Sequence, residues 1–193
     1  MKKVGITGGI GSGKSFVCNL FKKLYGIEIY NADSVVKDDI IKRALIKRQI
    51  MAEFGEDSYL PDGGINRPKF KKLLFNNATL LKKMNGIIRV DLVESMNSWA
   101  ESKTGPYVLI ECAVIFENGL ETIFDKVMTV VCPMETRIER LLKRGVAQVD
   151  IDNIIKAQIG DDERVCRSNY WIRNDEMLSQ RMKTIDRLLR MEA

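Results

Sequence analysis

The apolar positions of this chain follow two rhythms. Short apolar runs read as buried strands, and residues recurring every three or four positions read as helices. Val4-Gly5-Ile6 is a first strand, and Val17, Leu20, Phe21 and Leu24 mark a helix behind it. A second strand, Ile27 to Tyr30, follows the turn at Gly26. The pattern predicts one helix from about Ser34 to Phe54, then a turn at Pro61-Asp62-Gly63-Gly64. Arg67-Pro68 opens a helical stretch with Phe70, Leu73, Leu74 and Phe75, and another runs from Leu80 to Trp99. Tyr107 to Phe116 and Val127 to Cys132 read as buried parallel strands. Pro133 then starts a helix that Gly145 stops. Its apolar stripe is Met134, Ile138, Leu141 and Leu142, opposite Arg137, Arg140 and Arg144. Asp150 reads as the cap of a helix carrying Ile151, Ile154 and Ile155, and Tyr170 to Ile172 as a short strand. Asn174 opens a last helix with Leu178, Met182, Ile185 and Leu189 on its core face. Strands alternating with helices predict one α/β domain over residues 1–193, with helical material inserted at about 56–105.

Between the first strand and helix lies Gly8-Gly9-Ile10-Gly11-Ser12-Gly13-Lys14-Ser15, which fits the phosphate-loop pattern G-x-x-x-x-G-K-[ST] at every fixed position. Strand, loop and helix come in the order the mechanism needs. The amides of Gly11 to Ser15 are expected to point at phosphate oxygens, aided by the dipole of the following helix. Lys14 is expected to reach the β- and γ-phosphates of ATP, and the Ser15 hydroxyl to ligate Mg²⁺. Gly9, Gly11, Ser12 and Gly13 complete the nucleotide cradle, with Phe16 just behind it.

Composition narrows the chemistry. Apolar residues make up 45% and charged residues 30%, as in ordinary globular proteins. The net charge of +5 suits a small anionic substrate in a local basic pocket, and no Lys/Arg tail or interleaved aromatics suggest nucleic acid as partner. Histidine is absent, which excludes imidazole bases, Ser-His-Asp triads and His-ligated zinc. A general base must then be a carboxylate or a lysine. Cys18, Cys112, Cys132 and Cys166 form no CxxC pair, so free thiols in a reducing cytoplasm are expected. Met1-Lys2-Lys3 lacks the apolar stretch of a signal peptide, and no run approaches a membrane span.

Two acids stand out. Asp33 follows the second strand, at the end where open α/β sheets bind ligands. It reads either as the base that accepts a proton from an attacking hydroxyl or as a helix cap. Glu111 falls inside a buried strand, where a carboxylate is costly unless paired or near a metal. It reads as an acid at the Mg²⁺ or as half of a structural ion pair. The three arginines at 137, 140 and 144 are a solvated face or a clamp on transferring phosphate.

These residues describe a small phosphate-loop kinase or NTPase. A GTPase needs an N-K-x-D sequence after a strand, and none occurs. Another small-molecule kinase, for a nucleotide or a sugar, and a non-enzymatic nucleotide-binding protein both remain open at this level.

An ordered set of motifs goes further. Gly5 to Ser15, Ala32-Asp33, Phe54-Gly55, Asp62 to Arg67, Asn85, Ile115-Phe116-Glu117, Arg140-Leu141 with Arg144, Gln158 and Ile172-Arg173-Asn174 resemble the dephospho-CoA kinases along nearly the whole chain. The resemblance implies a phosphate-loop fold with a five-stranded parallel sheet, a helical CoA-binding insertion and a lid at about 140–165. It implies ATP-dependent phosphorylation of the ribose 3′-hydroxyl of dephospho-CoA. Asp33 would be the base, Lys14 and Ser15 would keep their phosphate and Mg²⁺ roles, and Arg140 and Arg144 would act on the transferred phosphoryl group. Arg67, Asn85 and Arg89 would lie near the acceptor. The chain departs from the family at Phe16, where a threonine is usual, at Arg89-Val90 in place of a His-Pro pair, at Ala113 and at Asn169. None of these touches Lys14, Ser15 or Asp33.

Overall fold

The computed structural model describes residues 1–74, 77–175 and 185. Five parallel strands form its sheet: β1 (Lys2–Thr7), β2 (Ile29–Asn31), β3 (Tyr107–Glu111), β4 (Lys126–Val131) and β5 (Tyr170–Arg173), in the order β2-β3-β1-β4-β5. β1 is central and runs into the glycine loop at its carboxyl end, with β3 on one side and β4 on the other. Loops at that end of a parallel sheet are where ligands bind. Helix α1 (Lys14–Tyr25) starts directly from the loop and lays Val17, Cys18 and Phe21 on β1, beside Val4 and Ile6. Gly26 closes it in the left-handed region (φ 66°), as glycine does at helix ends.

The chain forms two compact units. Met1–Asn31 with the chain from Trp99 on carries the sheet, and Ala32–Ser98 is helical. The helical unit contains α2 (Ala32–Asp38), α3 (Ala44–Phe54), α4 (Arg67–Leu74) and most of α5 (Ala78–Glu101). Phe54 and Phe70 stack edge to face at 5.5 Å between ring centres. The Tyr59 hydroxyl donates to the Ile41 carbonyl at 2.7 Å. The turn at Pro61 is closed by Leu60 N–H on the Gly64 carbonyl at 2.7 Å, with Gly63 at φ 82°.

Four expectations are corrected. The helix over 34–54 is α2, a 3-10 turn (Ile40–Lys42) and α3, because Arg43 is extended (ψ 136°) while its guanidinium pairs with Asp39 and Asp91. β3 stops at Glu111 rather than Phe116, so Glu111 ends a strand instead of sitting within one. The apolar run continues because the turn after it folds Ile115 and Phe116 back into the core. Asp150 lies in the first turn of α7 (Gln148–Ala157), whose cap is Ala147.

The fourth correction concerns α6 (Met134–Lys143). One residue of its arginine face is turned inward: Arg137 is 3% exposed, while Arg140 is half-buried and Arg144 exposed. The apolar stripe is split, with Leu141 buried at 4% and Met134 and Leu142 39% and 47% exposed. Of the last predicted helix, Leu178, Met182 and Leu189 lie outside the described residues, while Ile185 is buried in the core cluster that includes Val17 and Phe21.

Candidate active site

The loop's geometry follows from its neighbours in the sheet. Register pairs Glu111 with Ile6 on one side and with Asn31 on the other. Glu111 and Asn31 end their strands, and Ile6 is the last residue but one of β1, which leads into the glycine loop. The Ser15 hydroxyl, in the first turn of α1, donates to Glu111 Oε1 at 2.6 Å. Asn31 Nδ2 donates to Glu111 Oε2 at 2.9 Å. Glu111 is thus 5% exposed with a partner on each oxygen. Hard divalent cations take such oxygens, usually one or two from the protein and the rest from phosphates and water. Ser15 and Glu111 therefore fit the donor set that Mg²⁺ needs. Among the described residues no group of three or more metal-ligating side chains occurs.

Lys14 is 9% exposed, and its ammonium donates to the carbonyls of Gly8 (2.9 Å) and Gly9 (3.4 Å). Its charge is held over the loop where a phosphate chain would lie. The Ser12 N–H turns into the loop onto the Gly9 carbonyl at 3.2 Å, and the Ser12 side chain is fully buried with no partner for its oxygen. Gly11 (φ 76°) and Gly13 (φ 89°) adopt left-handed backbone that a side chain would strain. Phe16 is 47% exposed at the start of α1. One turn into α1, the Cys18 thiol is pushed far up, first by burial and then by the Glu111 carboxylate.

The remaining candidates are placed as follows. Asp33 is exposed, second in α2, two residues past Asn31. Arg67 is exposed as the first residue of α4. Asn85 (half-buried) and Arg89 (exposed) sit one turn apart on α5. An open groove of about 660 Å³ in the same helical unit is lined by Leu45, Gln49, Lys83, Ile87 and Val90 among others. Arg140 is half-buried. Its NH1 is 3.5 Å from the Ser12 carbonyl and 3.2 Å from Cys132 Sγ, and its NH2 donates to the Asn174 carbonyl at 3.0 Å. Burial pushes the Cys132 thiol up, and Arg140 opposes it. Arg144 is exposed just past α6.

Three further side chains hold the loop from its protein side. Arg137 donates from Nε to the Ile10 carbonyl at 2.8 Å. Gln158, which follows α7, accepts the Ile10 N–H at 2.8 Å. Asn174, just past β5, donates from Nδ2 to the Ser12 carbonyl at 2.7 Å. Arg137 was visible as part of a charged helix face, but periodicity does not say which face meets a loop more than a hundred residues away. Gln158 stands out only through the family pattern, and Asn174 through that pattern and as the start of the last helix.

Similarity to known proteins gives the family and the fold. The family model described as dephospho-CoA kinase matches residues 2–180. A dephospho-CoA kinase of Fusobacterium nucleatum is 30% identical over 185 residues, 95% of each chain. Among solved structures, a Thermus thermophilus protein superposes with a TM-score of 0.78 at 22% identity, covering 99% of this chain and 97% of that one. A dephospho-CoA kinase from Campylobacter jejuni superposes at 0.66 with 19% identity, covering 98% and 96%. These two structures speak to the fold alone, a parallel sheet with a phosphate loop. On the family model and the sequence relatives, the chain belongs to the dephospho-CoA kinase family.

Proposed function

We propose that this protein transfers the γ-phosphoryl group of ATP to the ribose 3′-hydroxyl of dephospho-CoA, giving coenzyme A and ADP. Family membership names the acceptor, and the observation that carries the chemistry is the loop with Ser15 on Glu111 at 2.6 Å. The ribose oxygen attacks the γ-phosphorus as the bond to the β,γ-bridging oxygen breaks, and ADP leaves with that electron pair. Asp33, at the end of β2 in the chain, is assigned as the base that receives the hydroxyl proton. Lys14 is assigned to the β- and γ-phosphates. Ser15 and Glu111 would hold Mg²⁺, which supplies charge neutralisation on the phosphate oxygens when bound. Arg144 is assigned to the charge developing on the transferred group, and Arg140 to the nucleotide side through the loop carbonyl beside it. Arg67, Asn85 and Arg89 are assigned to the acceptor.

No helix among the described residues is long and apolar enough to cross a membrane. No disulfide joins any of the four cysteines, which suits the reducing cytoplasm where we place the enzyme. The test is ADP release from Mg-ATP with and without dephospho-CoA. Release should depend on the acceptor. A preference for a nucleoside monophosphate, or no response to any acceptor, would overturn the reading.

A further inference from the structure

The phosphate loop is gripped from behind. Two of its carbonyls, those of Ile10 and Ser12, each receive a donor from a side chain far away in sequence: Arg137 at 2.8 Å and Asn174 at 2.7 Å. Arg140 stands beside Asn174, 3.5 Å from the Ser12 carbonyl. A peptide unit is planar and trans, so its C=O and N–H point in opposite directions. The Ile10 carbonyl shares its unit with the Gly11 N–H, and the Ser12 carbonyl shares its unit with the Gly13 N–H. A donor fixed on the carbonyl therefore sets where the N–H points. A charged donor also polarises the unit and makes that N–H a stronger donor. The Ser12 and Ile10 amides are already used, on Gly9 and Gln158. Gly11 and Gly13 are thus the two loop units whose backs are held and whose fronts serve a ligand.

Arg137 is built for this position. A guanidinium at 3% exposure needs a nearby anion. Asp161, first residue of α8 (Asp161–Arg167), supplies it at 3.0 Å. Asp161 is shared with Arg164 at 3.0 Å, and Arg164 is paired with Glu117 at 2.8 Å. This relay anchors the charge behind the loop. Water could satisfy a loop carbonyl without burying an ion pair, so the arrangement points beyond simple satisfaction of backbone groups.

We propose that Arg137 and Asn174 are positioning residues for the nucleotide, holding the Gly11 and Gly13 amides toward the β-phosphate of ATP. The proposal rests on the kinase reading above. Its signature is selective: it concerns ligands with a β-phosphate and leaves those without one untouched. Affinities of ADP and AMP are measured by calorimetry for the full chain, for Arg137→Met and for Asn174→Leu. ADP should bind about tenfold more weakly to Arg137→Met and about threefold more weakly to Asn174→Leu, with AMP within about twofold of the parent. Equal losses for ADP and AMP would overturn the proposal, and so would unchanged ADP affinity. If Arg137→Met does not fold, Asn174→Leu leaves the ion pairs intact and decides by the same ratio. If the unmodified chain binds neither nucleotide, the kinase reading fails and the proposal with it. If it binds ADP and the variants show no selective loss, only the proposal fails.

Discussion

At the scale of single residues, the site divides by what each group can exchange. Glu111 has both oxygens occupied by Ser15 and Asn31, so its task is to hold. Asp33 is exposed and is the carboxylate assigned to move a proton. Asp33→Asn should leave ATP affinity within about twofold and lower kcat by about a hundredfold or more. Unchanged turnover would return Asp33 to a merely structural place in the first turn of α2. A second prediction concerns thiols. Burial and Glu111 raise the Cys18 pKa, so its neutral form persists as pH rises, whereas Cys166 is exposed. Alkylation of the native protein at pH 9 should modify Cys166 and spare Cys18, read by mass after digestion. Rapid labelling of Cys18 would contradict its packed, protonated state. The glycine loop, Ser15 and Glu111 were legible in the sequence because their spacing carries a mechanism. The partners of the loop carbonyls were not, because a backbone carbonyl has no sequence signal.

At the scale of elements, the sequence marked most starts well and some ends poorly. Helix α4 opens at Arg67 with Pro68 at a first-turn position, as the Arg67-Pro68 signal indicates. The end of β3 was hidden because a turn that buries Ile115 and Phe116 looks, residue by residue, like more strand. Helix α6 shows the other limit. Its two faces were distinguishable, but their destinations were not. From the charged face Arg137 finds the Ile10 carbonyl and Asp161, while from the apolar stripe Leu141 is buried and Met134 and Leu142 are left at the surface. In the helical unit, the Phe54–Phe70 stack joins α3 to α4. Phe70 is 7% exposed, and Phe70→Ala should destabilise the protein by about 3–5 kcal/mol. Chemical denaturation checks this, and a loss under about 1 kcal/mol would mean that the site collapses around the smaller side chain.

At the scale of the molecule, binding and stability are linked. A nucleotide held by the folded loop and not by the unfolded chain stabilises the fold by about 2.7 kcal/mol at a hundred times its Kd. For a chain of 193 residues this raises the unfolding midpoint by about 5–10 °C. Calorimetric scans with and without Mg-ATP measure the shift, and its absence would count against the loop as the nucleotide site.

Gly9 occupies one of the variable positions of the phosphate-loop pattern, so the ligand does not explain why it lacks a side chain. Its protein neighbour does: a methyl group there would collide with the Arg137 guanidinium. Unlike Gly11 and Gly13, Gly9 has no positive φ that would strain alanine. The harm done by Gly9→Ala is thus a matter of crowding, and shortening residue 137 should relieve it. In a double-mutant cycle, Gly9→Ala together with Arg137→Ala should lose less than the sum of the two single losses. Glycine at 9 and arginine at 137 are then a matched pair, and each limits what evolution can do with the other.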